Sequence, residues 1–279
     1  MDFCTLASGS GGNASLVRSG GTAVLLDAGI SARRITTALR QLGTDPGELA
    51  GVLITHEHSD HISGLTTLAK QLDFPVYATE PTIRAICARI SSLGERCRAV
   101  KPGESFQIGA LRGEAFPTSH DAACSVGYSI FGDGCRVVLA TDLGYLTPEV
   151  KQAACRCDLL VCEANHDEDW LRDGPYPYSL KQRVLGDRGH LSNETGAELA
   201  LLAARAGART VILAHLSSEN NTPARAREVV ARRLSAAGID PEGDVALIVA
   251  PRKECGPLFC LSRSREPQSL AGEREAALC

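Results

Sequence analysis

Within six residues the chain presents three histidines and an aspartate, in the order His56-Glu57-His58-Ser59-Asp60-His61. His56 and His58, two apart, can point the same way, while Asp60 and His61 turn to the other side. The segment therefore offers two imidazole nitrogens to one cation and an oxygen plus a nitrogen to a second. Solvated loop histidines are a poor explanation for that density. Each cation needs further ligands, and candidates follow other short apolar runs. His120 comes after 115–119, Asp142 after Val137-Val138-Leu139-Ala140-Thr141, and His215 after Val211-Ile212-Leu213-Ala214. Taken singly, each has an ordinary reading as a satisfied or exposed polar side chain. Taken with the cluster upstream, they complete a metal-ligand set.

Those runs read as buried strands, and the loop leaving such a strand turns its side chains out of the core into a cleft. Ala50–Thr55 is one, delivering the chain directly into the histidine cluster. Before it, Phe3–Ala7, Ala14–Arg18 and Thr22–Asp27 read as strands between Gly/Ser turns. Ser31 caps a helix with Ile35, Ala38, Leu39 and Leu42 on one face, and Gly43 stops it. A helix is expected from the cluster to about Leu72, a strand at Val76–Ala78 and a helix from Pro81. Strands follow at Gly113–Thr118, Val126–Phe131 and Arg136–Ala140, the last two joined by a Gly132-Asp133-Gly134 hairpin turn. A short helix near Pro148, a strand at Leu159–Cys162 and a polar loop to Tyr178 come next. Helix 193–206, strand Thr210–Ala214, helix Pro223–Ala237 and strand Val245–Ala250 complete the pattern. Strand-rich stretches interleaved with helices imply an α/β fold of two mixed sheets with helices outside. One domain is expected over 1–262, with 263–279 as a flexible tail.

The 279 residues, 44% hydrophobic and 22% charged with net charge −4, exclude disordered and fibrous classes. No run nears the roughly 18 apolar residues of a membrane span, and the start Met1-Asp2-Phe3-Cys4 lacks a signal core. Eleven cysteines without a CxxC pair read as free thiols, so a cytoplasmic location is expected. The acidic excess does not advertise nucleic-acid binding, although residues 201–265 are locally basic. Oligomeric state is not legible.

The segment Thr55-His56-Glu57-His58-Ser59-Asp60-His61-Ile62-Ser63-Gly64 resembles the signature loop of the metallo-β-lactamase superfamily, and His120, Asp142 and His215 match its later ligand motifs in order. The resemblance covers roughly residues 3–260 and implies the four-layer αββα sandwich of two mixed sheets, with its site at the sheet edges. Leu6-Ala7-Ser8-Gly9-Ser10-Gly11-Gly12-Asn13, Gly189-His190-Leu191-Ser192-Asn193 and His215-Leu216-Ser217 are similar to the YycJ/WalJ-type branch. That likeness implies a DNA exonuclease acting from the 5′ end. Cys162-Glu163-Ala164-Asn165 is similar to the HEAT element of tRNase Z, with Cys162 in place of the histidine.

His56, His58 and His120 are assigned to a first metal, Asp60, His61 and His215 to a second, with Asp142 bridging. A shared carboxylate favours two divalent ions, and nitrogen and oxygen donors without thiolate suit Zn²⁺ or Mn²⁺, with Fe²⁺ also compatible. Such ions make a bridging hydroxide available near neutral pH, which Asp60 orients. His215 follows a buried strand, so it is taken as the ligand and His190 as the residue that meets substrate. Glu163 is expected to hydrogen-bond His190 and keep it protonated as the general acid for a leaving alkoxide. An ordinary capping or ion-pair contact is the plainer reading of that pair.

For substrate, the Ser8–Asn13 loop can offer backbone N–H groups to a phosphate. Trp170, Tyr176, Tyr178, Lys181 and Arg183 mix aromatic faces with charge as a single-strand track does, or simply pin a loop. Arg225, Arg227, Arg232 and Arg233 make the last helix basic. The reading that results is a metal-dependent phosphodiesterase acting on nucleic acid, DNA foremost. A small-molecule hydrolase of the same fold, for a cyclic phosphodiester or a glyoxalase-type thioester, is the alternative. A di-iron redox domain is a third, opposed by His58 where such members usually carry Glu.

Overall fold

The computed structural model describes residues 1–262; the tail expected at 263–279 lies outside the described residues. The strands in chain order are β1 Asp2–Ala7, β2 Ala14–Ser19, β3 Thr22–Leu26, β4 Leu49–Leu53, β5 Val76–Ala78, β6 Cys97–Ala99, β7 Ser105–Ile108, β8 Leu111–Pro117, β9 Val126–Gly132, β10 Cys135–Ala140, β11 Leu159–Glu163, β12 Thr210–Ala214, β13 Ala246–Val249 and β14 Phe259–Cys260. They form two seven-stranded sheets, ordered β14-β1-β2-β3-β4-β5-β6 and β13-β12-β11-β10-β9-β8-β7. Each sheet is mixed in the same manner. In the first, β14, β1, β2 and β3 pair antiparallel and β3 to β6 parallel. In the second, β7 to β10 pair antiparallel and β10 to β13 parallel.

The strands carry apolar side chains on both faces because each sheet is covered on both. Phe3, Val17, Val24, Leu26 and Leu53 meet Tyr128, Ile130, Val137, Leu139, Val161 and Ile212 between the sheets. Outside the first sheet, Leu16, Leu25 and Val52 pack with Ile35 and Leu39 of helix α1 (Ala32–Gln41) and with Leu65 and Leu68 of the helix Leu65–Gln71. Outside the second, Val138, Leu160 and Leu213 pack with Leu199 and Ala203 of the long helix Asn193–Arg205 and Val230 and Leu234 of Pro223–Ala236. This is the expected four-layer αββα sandwich. Tyr128 is fully buried, and its hydroxyl donates to the Ile54 carbonyl at 2.9 Å, tying the sheets together just beneath the histidine cluster.

The departures from expectation have local causes. The helix expected up to Leu72 is two, α2 Ser59–Ile62 and α3 Leu65–Gln71. Gly64 separates them; its N–H donates to the Ala28 carbonyl, and a Cβ there would lie 1.9 Å from the Ile30 carbonyl oxygen. After α4 Glu80–Arg89 and α5 Pro148–Ala154, the polar loop expected up to Tyr178 contains α6 Glu168–Asp173, capped by Asp167, which accepts from the Asp169 and Trp170 N–H groups. It leads into α7 Tyr178–Leu185, then α8 Asn193–Arg205 and α9 Pro223–Ala236. The sequence pattern missed β6, β7 and β14, which are short, partly exposed and set at or beside sheet edges where apolar alternation is weak.

Candidate metal centre

The carboxyl ends of β3, β4, β8, β10, β11 and β12 point to one edge of the sandwich, and every predicted ligand lies on the loops leaving that edge. Among the described residues four non-glycine positions have positive φ: Asp27 at 62°, Asp133 at 50°, Asp142 at 63° and His215 at 56°. Asp133 belongs to the β9–β10 hairpin turn. The other three stand one or two residues beyond β3, β10 and β12, where a left-handed residue takes its side chain out of the strand's alternation and across the sheet edge. Holding such a backbone takes about 1–3 kcal/mol per residue, so the surrounding packing must over-determine it.

The expected ligands converge. His56, His58 and His120 place ligand atoms within 4.8 Å of one another, and so do Asp60, His61 and His215. His120 Nε2 lies 3.3 Å from His58 Nδ1, and Asp60 Oδ2 lies 3.2 Å from His215 Nε2 and 3.3 Å from His61 Nε2. Asp142, 1% exposed, stands between the triads. Its Oδ2 is 3.4 Å from His61 Nε2, and its Oδ1 is 3.6 Å from His215 Nε2 and 3.7 Å from His120 Nε2. Among the described residues no such cluster contains a cysteine.

Two atoms test whether cations fit. His56 Nε2 and Asp142 Oδ2 are buried without a hydrogen-bond partner. An orphaned imidazole nitrogen beside an orphaned carboxylate oxygen is costly unless something positive joins them. Burial opposes charge on His61, yet Asp27 and Asp142 outweigh it and raise its pKa to about 10. Burial likewise opposes charge on His215, and Asp142, Asp60 and Glu163 carry it well above the usual imidazole range. His56, by contrast, is lowered, by burial first and by the neighbouring imidazoles after it. The field at the second triad thus favours positive charge, and divalent cations suit this donor set.

Every ligand imidazole but that of His58 is oriented from behind. His61 Nδ1 lies 2.8 Å from Asp27 Oδ2, and Asp27 also accepts the Thr55 N–H at 2.8 Å and the Thr55 hydroxyl. Asp27 escaped the sequence reading, although the rule that found Asp142 and His215, a polar residue just after a buried strand, applies equally to it. His120 Nδ1 meets the Gly189 carbonyl at 3.0 Å, and His56 Nδ1 the Thr55 hydroxyl at 3.0 Å. Glu163, fully buried, has Oε1 at 2.8 Å from His190 Nδ1 and 2.9 Å from His215 Nδ1, while Oε2 accepts the Leu143 and Leu191 N–H groups. Burial resists its ionisation, but His190 and His215 hold its pKa at about 2. The expected Glu163–His190 contact is therefore present, and the same oxygen also serves His215. Cys162 turns the other way, into the layer against α8, where its thiol donates to the Gly196 carbonyl.

Most N–H groups of the Ser8–Asn13 loop, from which phosphate contacts are expected, are engaged within the protein, and those of Ser10 and Gly11 face outward. Its Ser8, Gly12 and Asn13 N–H groups donate to Pro251, Gly9 and Asp60 carbonyls, and the Gly9 N–H donates to Asn13 Oδ1. The loop also positions ligands. The Ser8 hydroxyl accepts the His215 N–H at 2.9 Å, and Asn13 Nδ2 lies 3.2 Å from His61 Nε2 and 3.4 Å from Asp60 Oδ2. Gly29 permits this approach, since a Cβ there would meet the Asp60 carbonyl oxygen at 1.6 Å.

The description "Beta-lactamase superfamily domain" fits residues 22–216, and the chain belongs to that superfamily. Its relatives include the exodeoxyribonuclease WalJ of Streptococcus pneumoniae serotype 2 strain D39, to which it is 37% identical over 241 residues, 85% of this chain and 89% of that one. The exodeoxyribonuclease YycJ of Bacillus anthracis is 36% identical over 239 residues, 85% of this chain and 90% of that one. The zinc-bound PqqB structure from Methylobacterium extorquens superposes with a TM-score of 0.70 at 19% identity, over 94% of this chain and 100% of that one, a likeness of fold alone. No helix among the described residues is long and apolar enough to cross a membrane.

Proposed function

We propose that this protein is a metal-dependent exodeoxyribonuclease, one catalytic domain over residues 1–262 that hydrolyses phosphodiester bonds at a DNA end in the cytoplasm. The observation that carries the reading is the His190–Glu163 pair at 2.8 Å beside the ligand clusters. Its support from relatives is the likeness to WalJ and YycJ over most of the chain. His56, His58 and His120 would hold one divalent ion and Asp60, His61 and His215 a second, with Asp142 shared; Zn²⁺ or Mn²⁺ suits the donors. When bound, such ions supply a nucleophilic water at neutral pH and positive charge for the phosphate. Asp60, on the open side of the second triad, orients that water.

His190 is the partly exposed imidazole of the two on Glu163, 19% against 3% for His215. It can face substrate while its Nδ1–H stays on the carboxylate. Its Nε2 proton then passes to the leaving deoxyribose oxygen as the P–O bond breaks, and Glu163 stabilises the imidazolium before transfer. A thioester leaves without such help, so this acid favours the phosphodiester over the glyoxalase-type alternative. Metal-loaded protein should be offered DNA labelled at either end, the same sequence as RNA, and a small phosphodiester. Progressive nucleotide release from the 5′ end of DNA is expected. Turnover of the small phosphodiester with intact DNA would overturn the proposal.

A further inference from the structure

The two basic segments that stand out in the sequence are largely engaged within the protein. Arg225 pairs with Asp167 at 2.6 Å and Arg227 with Glu242 at 3.0 Å. Arg183 pairs with Asp121 at 2.6 Å, and the Lys181 ammonium donates to the Arg172 carbonyl. Arg232 and Arg233 lie seven and eight residues beyond Arg225 along α9, about 11 Å or more farther down the helix axis.

A third surface carries free positive charge. The first turn of α1 and the segment after β13 flank a groove of about 440 Å³, lined by Arg33, Arg34 and Lys253 over an apolar floor that includes Leu6 and Ile30. Arg33 and Lys253 are exposed and have no ion-pair partner among the described residues, and Glu254 is the single acid in the lining. Arg34 donates to the Lys253 carbonyl at 3.0 Å and fixes the two walls together. Beside the groove, the Arg252 stem lies along Gly9, 3.4 Å from where a Cβ would stand. Its guanidinium donates to the Ser217 carbonyl, and its Nε is buried without a partner. Gly9 belongs to the loop that holds Asn13 against Asp60, and Ser217 follows His215 by two residues. Arg252 therefore links the end of the groove to the two loops that flank the second ligand triad.

We infer that this groove, with Arg33, Arg34, Arg252 and Lys253 along it, binds the backbone phosphates of the DNA strand adjoining the bond that is cut. The inference rests on the exodeoxyribonuclease reading and adds where the substrate lies. Phosphates match the free guanidinium of Arg33 and the free ammonium of Lys253, with Arg34 and Arg252 adding charge that no carboxylate neutralises, and the apolar floor suits the faces of deoxyribose. On a chain with net charge −4, positive charge gathered along such a groove also directs a polyanion toward it.

The test measures binding of a dye-labelled, phosphorothioate-linked single strand by fluorescence anisotropy, from about 50 to 200 mM salt, the range over which such contacts weaken steeply. The parent is compared with R33Q/K253Q and with R232Q/R233Q, which removes the same charge elsewhere. R33Q/K253Q should bind about tenfold more weakly at the middle of the range, and its log–log salt slope should fall by about 1.4, near 0.7 per lost single-strand phosphate contact. R232Q/R233Q should stay within about twofold, as removal of remote charge implies. Equal losses in the two variants, no loss in the first, or a larger loss in the second would overturn the inference while leaving the nuclease reading intact. A parent that shows no salt-sensitive binding would overturn that reading itself, and the groove with it.

Discussion

The two ligand triads use the same kinds of side chain but are held from behind by different groups. In the first, His120 rests on the Gly189 carbonyl and His56 on the Thr55 hydroxyl, both neutral acceptors. In the second, His61 and His215 each direct Nδ1 to a buried carboxylate, Asp27 at 2.8 Å and Glu163 at 2.9 Å. A carboxylate behind an imidazole fixes its tautomer and raises its basicity toward a metal. His61 and His215 are also nearly sealed, whereas His58 of the first triad is 28% exposed and faces Asp121 across 3.9 Å. The contrast teaches that the second triad is the electrostatically built half of the centre. Solvent reaches both halves, at His58 of the first and at Asp60 of the second, which is 22% exposed. Thr55 joins them, because its hydroxyl touches Asp27, His56 Nδ1 and His61 Nδ1.

Asp142→Ala should have the largest effect, because its carboxylate is the one that reaches imidazoles of both triads. Metal analysis of the purified variant should show loss at both positions; retention of two ions per chain would end the bridging assignment. His190→Ala comes next and separates the two imidazoles on Glu163. It should leave metal content unchanged and slow DNA cleavage by about 10²–10⁴-fold, the usual span for a lost general acid. A phosphodiester with an aryl leaving group needs little protonation and should suffer far less. Metal loss in this variant would move His190 into the ligand set.

Asp27→Asn sharpens the comparison, for its amide oxygen can keep both Thr55 contacts, and with them the acceptor behind His56, while the anion behind His61 is lost. Metal affinity of the second triad should drop about 10–100-fold, as for loss of a partner behind a ligand, while the first triad keeps its own. Unequal shifts in a two-site titration check this. The smallest effect expected is that of Asn13→Ala, which removes contacts to Asp60, His61 and the Gly9 N–H. A loss near 1 kcal/mol, about fivefold in rate, is the scale of such a hydrogen bond. Steady-state kinetics at saturating metal would register it.

The ligands were legible because chemistry and topology coincide in them: polar residues of metal-binding type stand where buried strands end. The layered fold was legible for the same reason, since strands covered on both faces, such as β10 and β12, read as continuous apolar runs. Edge strands β6, β7 and β14 were not, being short and half-covered. α7 was hidden because it buries no side chain fully, Leu180 and Val184 being only half-covered, and α6 because Leu171 is its one buried residue. Asp27 sits far from the histidine cluster in sequence, and only the parallel β3–β4 pairing brings it behind His61. The engagement of Arg225 and Arg227 by Asp167 and Glu242 was likewise invisible, because it depends on contacts from separate loops.

The most direct test of the unequal pair is a calorimetric titration of Mn²⁺ into the metal-free parent and, alongside, into Asp27→Asn. The account predicts two ions per parent chain in two classes, one of which weakens in the variant while the other is unmoved. A single ion in the parent, or equal weakening of both classes, would contradict it.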